Sequence, residues 1–221
     1  MSDYHDNEWG RPTIDRDALF ESMTLQLFQC GLTWKCIFNK RDGFRRAFAN
    51  FDARSVAEFD ETRIEKLLTD TRIVRNRAKI MAVVNNARRI VEMESEKRDS
   101  FVDFVWSFSP SHPDERLRVD RTPSGTHMRT DMKDRNYAKR VRSDGAHPTR
   151  TCVEMSKALK ARGFKFMGPT VVLSFMQAVG LMNHHDKSCH VFERNEKLHA
   201  KVTRKRPIRK ARGLDEPKIT K

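Results

Sequence analysis

The chain has 221 residues, 33% of them charged and 38% hydrophobic, with a net charge of +14 and a pI near 10.0. That length suits one large domain, or one domain with a tail, and is ample for a buried core. A balance so basic points to an anionic partner, nucleic acid first. The four cysteines, Cys30, Cys36, Cys152 and Cys189, form no C-x-x-C pair. They argue against a secreted disulfide framework and for reduced thiols in a cytosolic or nuclear setting. No apolar run approaches the ~20 residues of a membrane span, and the polar N-terminus has no signal-peptide core.

The opening stretch YHDNEWG, from Tyr4 to Gly10, has the pattern of neither an amphipathic helix nor a strand. Helical periodicity begins with DRDALFESMTLQLFQCGL, where Leu19, Phe20, Met23, Leu27 and Phe28 recur near helical spacing. Asp15 or Asp17 can cap this helix and Gly31 can stop it. In RDGFRRAFANF, the side chains of Phe44, Phe48 and Phe51 fall at steps of four and three, one helix face. DETRIEKLLTD opens on a capping Asp60 and carries Ile64, Leu67 and Leu68. NRAKIMAVVNNARRIVEME puts Ile80, Val83, Val84, Ala87 and Val91 on one side. SFVDFVWSF is a short aromatic helix ending before Pro110. No convincing alternating strand is present, so the domain is expected to be all-α.

Residues 109–150 are rich in Pro, Ser, Asp and Arg and poor in apolar residues, which predicts a long irregular insert. Helical order returns with CVEMSKALKARG and PTVVLSFMQAVG. From Arg194 to Lys221 there are eleven Lys or Arg against three acids. The expected organisation is a helical domain over 1–192 with the 109–150 insert, and a basic, disordered tail over 193–221 with phosphate affinity as a side effect.

Two further segments carry chemistry. In SKALKARGFKFMGPTVV, Gly163 can close one helix and Pro169 can open the next. The free N–H groups and dipole at the start of that second helix suit a phosphate oxygen, with Lys165 adding charge. Gly163, Lys165, Gly168 and Thr170 are the candidate DNA contacts; an ordinary αα-hairpin is the competing reading. In GLMNHHDKSCH, His185 and Cys189 lie four apart, a workable pair of zinc ligands if the segment is helical. His5 is the obvious third ligand, which would fasten the N-terminus to the C-terminal end of the domain.

Taken together, YHDNEWG, LFQCGLTW, FVDFVWSF, SKALKARGFKFMGPT and SFMQAVGLMNHHDKSC resemble the 3-methyladenine DNA glycosylase I family, over residues 4–108 and 151–189. The resemblance implies a helix–hairpin–helix glycosylase with a bound zinc, hydrolysing the bond between alkylated adenine and deoxyribose in double-stranded DNA. It implies zinc on His5, His185 and Cys189. The family's fourth ligand, a cysteine further toward the N-terminus, has no counterpart in these 221 residues; water, His184 or His190 could stand in. It implies a base pocket of Tyr4, Trp9 and Trp34. The family's base-recognising Glu aligns with Gln26, so Gln26 and Trp34 are the expected catalytic pair. A monofunctional, monomeric enzyme initiating base excision repair is the main expectation, cytoplasmic and nucleoid-associated in a bacterium or nuclear in a eukaryote. The alternative is a catalytically weakened or inactive DNA-binding relative.

Overall fold

The computed structural model describes residues 2–95, 100–109 and 150–205. Its elements are α1 (Ser2–Asn7), α2 (Arg16–Gln29), α3 (Trp34–Phe38), α4 (Arg41–Ala47), a 3-10 turn (Ala49–Phe51), α5 (Ala53–Ala57), α6 (Glu61–Thr69), α7 (Arg77–Ser95), α8 (Phe101–Trp106), α9 (Arg150–Ala161), α10 (Pro169–Ala178) and α11 (Phe192–Lys205). Among the described residues there is no strand, and none of the helices is long and apolar enough to cross a membrane. The expected 109–150 insert lies outside the described residues except at its two ends.

Helix α2 is the axis of the domain. Every residue from Met23 to Phe28 is buried, so the helix is enclosed on all sides and shows no single apolar stripe. It packs against α10, α7, α3 and α8. Of the two candidate caps it is Asp15 that accepts from Ala18 N, at 2.8 Å. At the other end Lys79 of α7 donates to the Phe28 carbonyl at 2.9 Å and also to that of Cys30. A cation on the last carbonyls complements the helix dipole. The α1 stretch forms a short helix that buries none of its residues, which is why its sequence carries no amphipathic signal.

The phenylalanine stripe is assembled differently from its sequence pattern. Helix α4 stops at Ala47, and Ala49, Asn50 and Phe51 take φ of 50°, 52° and 62°. This left-handed turn, rather than a continuing helix, stacks Phe51 on Phe48 at 6.0 Å, and Phe48 stacks on Phe44 at 6.3 Å, all three with no exposed surface. Left-handed backbone costs about 1–2 kcal/mol per residue. Burying each phenylalanine contributes about 1.5–3 kcal/mol, so the aromatic cluster offsets the turn. In α7, Ile90 rather than Val91 completes the buried stripe of Ile80, Val83, Val84 and Ala87.

The C-terminal boundary is also corrected. Residues 193–205, expected as the start of a tail, form α11 and pack on the domain. His199 is 3% exposed, lies 2.9 Å from the Ser109 hydroxyl and stands 5.6 Å, centroid to centroid, from the Trp106 ring. Asn183 Nδ2 donates to the Phe192 carbonyl at 3.1 Å and to Glu196 at 3.0 Å. The buried positions are Val191, Asn195 and His199, two of them polar, so helical spacing exists without an apolar signal. The rest of the expected tail, 206–221, lies outside the described residues.

Candidate active site and metal cluster

The N-terminal segment is tied over the end of α10. Gly10 N donates to the Ala178 carbonyl and Thr13 N to that of Val179, both at 3.1 Å, while Trp106 Nε1 donates to the Thr13 carbonyl at 2.9 Å. Gly180 makes the crossing possible. Its φ is +73°, and a Cβ there would lie 2.4 Å from Pro12 N. The strap sets α1 against residues 181–190.

His5, His185 and Cys189 meet there, with their donor atoms all within 4.8 Å of one another. Cys189 Sγ lies 3.8 Å from His5 Nε2 and 3.7 Å from His185 Nδ1. A tetrahedral zinc with bonds of about 2.3 Å to sulfur and 2.0–2.1 Å to nitrogen needs separations of about 3.6 Å. The opposite nitrogens are engaged. His5 Nδ1 is 2.8 Å from Asp6 Oδ1, and His185 Nε2 is 3.0 Å from the Trp9 carbonyl. Carbonyl and carboxylate partners of this kind fix the tautomer, so that each ring turns its lone pair toward the sulfur. Burial lowers the pKa of His185, favouring the neutral imidazole that a metal takes. His190 Nε2 is 3.2 Å from Asp6 Oδ1, and His184 stands edge-on to Trp9 at 6.4 Å. Neither stands with the three donors.

A cavity of about 340 Å³ opens beside this cluster, walled by Tyr4, Trp34, Leu25, Glu8, Glu21 and Arg41 among others. The Tyr4 ring packs on Trp34 at 5.4 Å and on Phe38 at 5.1 Å. Burial pushes the Tyr4 hydroxyl well above its ordinary pKa, so it remains a neutral phenol. Arg41 donates to Glu8 and Glu21, each at 2.6 Å, and Arg45 reaches Glu21 at 2.9 Å. Despite its burial, these carboxylates raise the pKa of Arg41. The lining is therefore nearly charge-balanced, and Tyr4 and Trp34 are its aromatic members. Glu8, Glu21 and Arg41 escape sequence reasoning because no local spacing joins them.

The sequence matches the methyladenine glycosylase family over residues 1–193. It is 40% identical over 193 residues to DNA-3-methyladenine glycosylase 1 of Escherichia coli, covering 87% of this chain and 91% of that protein. The chain belongs to the methyladenine glycosylase family. A DNA-3-methyladenine glycosylase from Haemophilus influenzae is 37% identical over 189 residues, 85% of this chain and 89% of that protein. The 3-methyladenine DNA glycosylase I of Staphylococcus aureus, solved to explain its recognition of 3-methyladenine, superposes with a TM-score of 0.67 at 31% identity. That match covers 86% of this chain and 90% of that one. The family's solved structures share the all-α fold.

Within this glycosylase fold the expected pocket residues separate. Tyr4 and Trp34 face the cavity, whereas Trp9 packs edge-on against His185 at 4.6 Å and is absent from the cavity wall. Gln26, 6% exposed and one residue after the cavity-lining Leu25, is likewise absent from the cavity wall. Among the described residues nothing hydrogen-bonds its side-chain amide, yet that amide is not among the fully enclosed unpaired groups, which are on Thr24, Arg89 and Asn195. Gly163 closes α9 with φ of +80°, and Gly168 caps α10 ahead of Pro169. Lys165 and Thr170 are exposed on that hairpin.

Proposed function

We propose that the chain hydrolyses the N-glycosidic bond of 3-methyladenine in double-stranded DNA and so initiates base excision repair. The observation that carries this is the joint placement of Tyr4 and Trp34 on one cavity in a chain of the methyladenine glycosylase family. The enzyme must take the damaged base out of the stack, and a base whose pairing is already damaged leaves it most easily. Its 3-methyl group makes the adenine cationic in DNA, and an electron-poor ring suits an aromatic face. Trp34 supplies that face and Tyr4 buttresses it. Gln26 accepts from the exocyclic amine and donates to a ring nitrogen, using both halves of its amide. Cleavage breaks the bond from C1′ to the base, which departs neutral, while water adds to C1′ and releases a proton. Because the alkylated base is already a good leaving group, stacking and hydrogen bonding suffice without a strong general acid.

His5, His185 and Cys189 fit a structural zinc, whose bonds would fasten α1 to the 181–190 segment. In this reading the hairpin at 163–169 takes phosphates, and the protein acts as a monomer. Release of 3-methyladenine from alkylated duplex by purified protein, in a single turnover, tests the proposal. Tight duplex binding without base release would favour a non-enzymatic relative, the reading for which the neutral Gln26 is the one specific argument.

A further inference from the structure

The hairpin between α9 and α10 contains a backbone outlier that phosphate binding does not use. Phe164 and Met167 turn inward, 3% and 0% exposed, while Phe166 turns outward, 45% exposed, with φ of +58°. Left-handed backbone is disfavoured for any residue with a Cβ, and a bulky side chain there is an outlier. Glycine would adopt it freely, yet the chain has glycines three residues before and two residues after, at Gly163 and Gly168, and a phenylalanine at the position itself.

The frame around Phe166 holds that conformation. Asn86, 1% exposed on α7, accepts from Lys165 N at 2.7 Å and donates to the Lys165 carbonyl at 3.1 Å. Asn85 donates to the Gly163 carbonyl at 2.8 Å, and the Ser156 hydroxyl to that of Met167 at 2.7 Å. Three polar side chains therefore fix the turn on both sides of Phe166, and with it the direction of the ring. No aromatic ring of the described residues packs on the Phe166 ring. One helical turn before Asn85, Met81 adds a second apolar side chain, 47% exposed, to the edge of α7 that grips the hairpin. Strain retained at an exposed aromatic is a sign of function rather than of packing.

We propose that Phe166 is an apolar wedge that docks on duplex DNA, seated against the deoxyribose faces and base edges of a groove. Beside it are the exposed Lys165 and the N-terminus of α10, which no side chain caps. Cation and helix end take phosphates, and an apolar side chain between them takes the uncharged surface that phosphates flank. Duplex DNA offers both side by side, and the +14 charge of the chain suits it. The inference deepens the reading of the chain as a DNA glycosylase and rests on it.

The test compares wild type with Phe166→Gly and Phe166→Leu. Each is assayed for binding to a duplex carrying a stable abasic-site analogue at several salt concentrations, and for thermal stability. Phe166→Gly is expected to bind about tenfold more weakly, roughly the loss of one aromatic contact. Its salt slope should be unchanged, because an apolar contact releases no counterions, and its melting temperature equal or higher, because the left-handed backbone is relieved. Phe166→Leu should recover most of the affinity. Unchanged binding by Phe166→Gly overturns the proposal, as does an affinity loss that merely follows a fall in melting temperature. Base release by wild type is measured alongside. If it fails while Phe166→Gly still weakens binding, the glycosylase reading falls and the wedge stands. If it succeeds while Phe166→Gly binds normally, the wedge alone is refuted.

Discussion

The His5 and His185 rings stand edge to face, 4.8 Å between centroids, and offer different nitrogens to Cys189: Nε2 from His5, Nδ1 from His185. The difference follows from what each ring does with its other nitrogen, His5 toward the Asp6 carboxylate and His185 toward the Trp9 carbonyl. Cys189→Ala is expected to lose bound zinc and melt at a lower temperature, since metal binding and folding are coupled. Asp6→Ala should leave the three donors in place yet weaken zinc about 10–100-fold, the usual effect of removing an orienting partner. Chelator competition followed by metal analysis reads both. Wild-type zinc affinity in Asp6→Ala would show that the carboxylate does not set the His5 tautomer.

Gly10 lies where the strap meets that cluster. Its φ is +71°, and an added Cβ would lie 2.9 Å from His185 Nε2 and 3.5 Å from Asn195 Nδ2. Gly10→Ala combines backbone strain with a collision at the nitrogen that donates to Trp9. The expected cost is about 1–3 kcal/mol, read by urea unfolding, together with reduced zinc occupancy. Stability equal to wild type would mean that the strap shifts freely and does not position His185.

The parts of this fold legible in the sequence are those where one residue type does one job. Asp15, Asp60 and the Gly163–Pro169 pair announce caps and a turn by chemistry that acts within a few residues. The Phe44, Phe48 and Phe51 spacing foretells a shared cluster but not the left-handed turn that delivers it, because two backbone routes reach the same packing. Helix α11 carries no apolar stripe in its sequence because Asn195 and His199 occupy its buried positions. The cluster of His5, His185 and Cys189 is legible because His185 and Cys189 are close in sequence and His5 stands out. The pairing of Glu21 with Arg41 is not, because ion pairs joining helices twenty residues apart leave no local pattern.

The corrected boundary at α11 has its own test. His199→Ala removes the partner of the buried Ser109 hydroxyl and opens space against Trp106. An unsatisfied buried hydroxyl costs about 1–3 kcal/mol, so the variant should unfold at lower urea concentration. A solvated tail would tolerate the change without loss, and an unaltered midpoint would restore that reading.

Lys165 is exposed and held by its backbone, which Asn86 bonds, while its side chain has no partner among the described residues. Lys165→Ala should therefore leave the hairpin intact and weaken duplex binding uniformly across sequences. The slope of log affinity against log salt should flatten by about one unit. An unchanged slope would place the phosphates elsewhere on the surface.

On the proposed reading, catalytic power turns on Gln26. It sits on the buried axis helix, next to Leu25 of the cavity wall, with an amide that nothing among the described residues engages. A Gln can pair with an adenine edge but brings no charge to a cationic base. Charge-assisted hydrogen bonds contribute about 1.5–3 kcal/mol against about 1 for neutral ones. Because each 1.36 kcal/mol is tenfold in rate, Gln26→Glu is expected to raise release of 3-methyladenine by about one decade. Gln26→Ala should lower it, and Trp34→Ala should lower it further by removing the stacking face. Single-turnover release from alkylated duplex, with wild type and all three variants side by side, orders them. Equal rates for wild type and Gln26→Ala would show that the amide does not read the base. A Gln26→Glu rate below wild type would show that the pocket favours a neutral edge over a charged one.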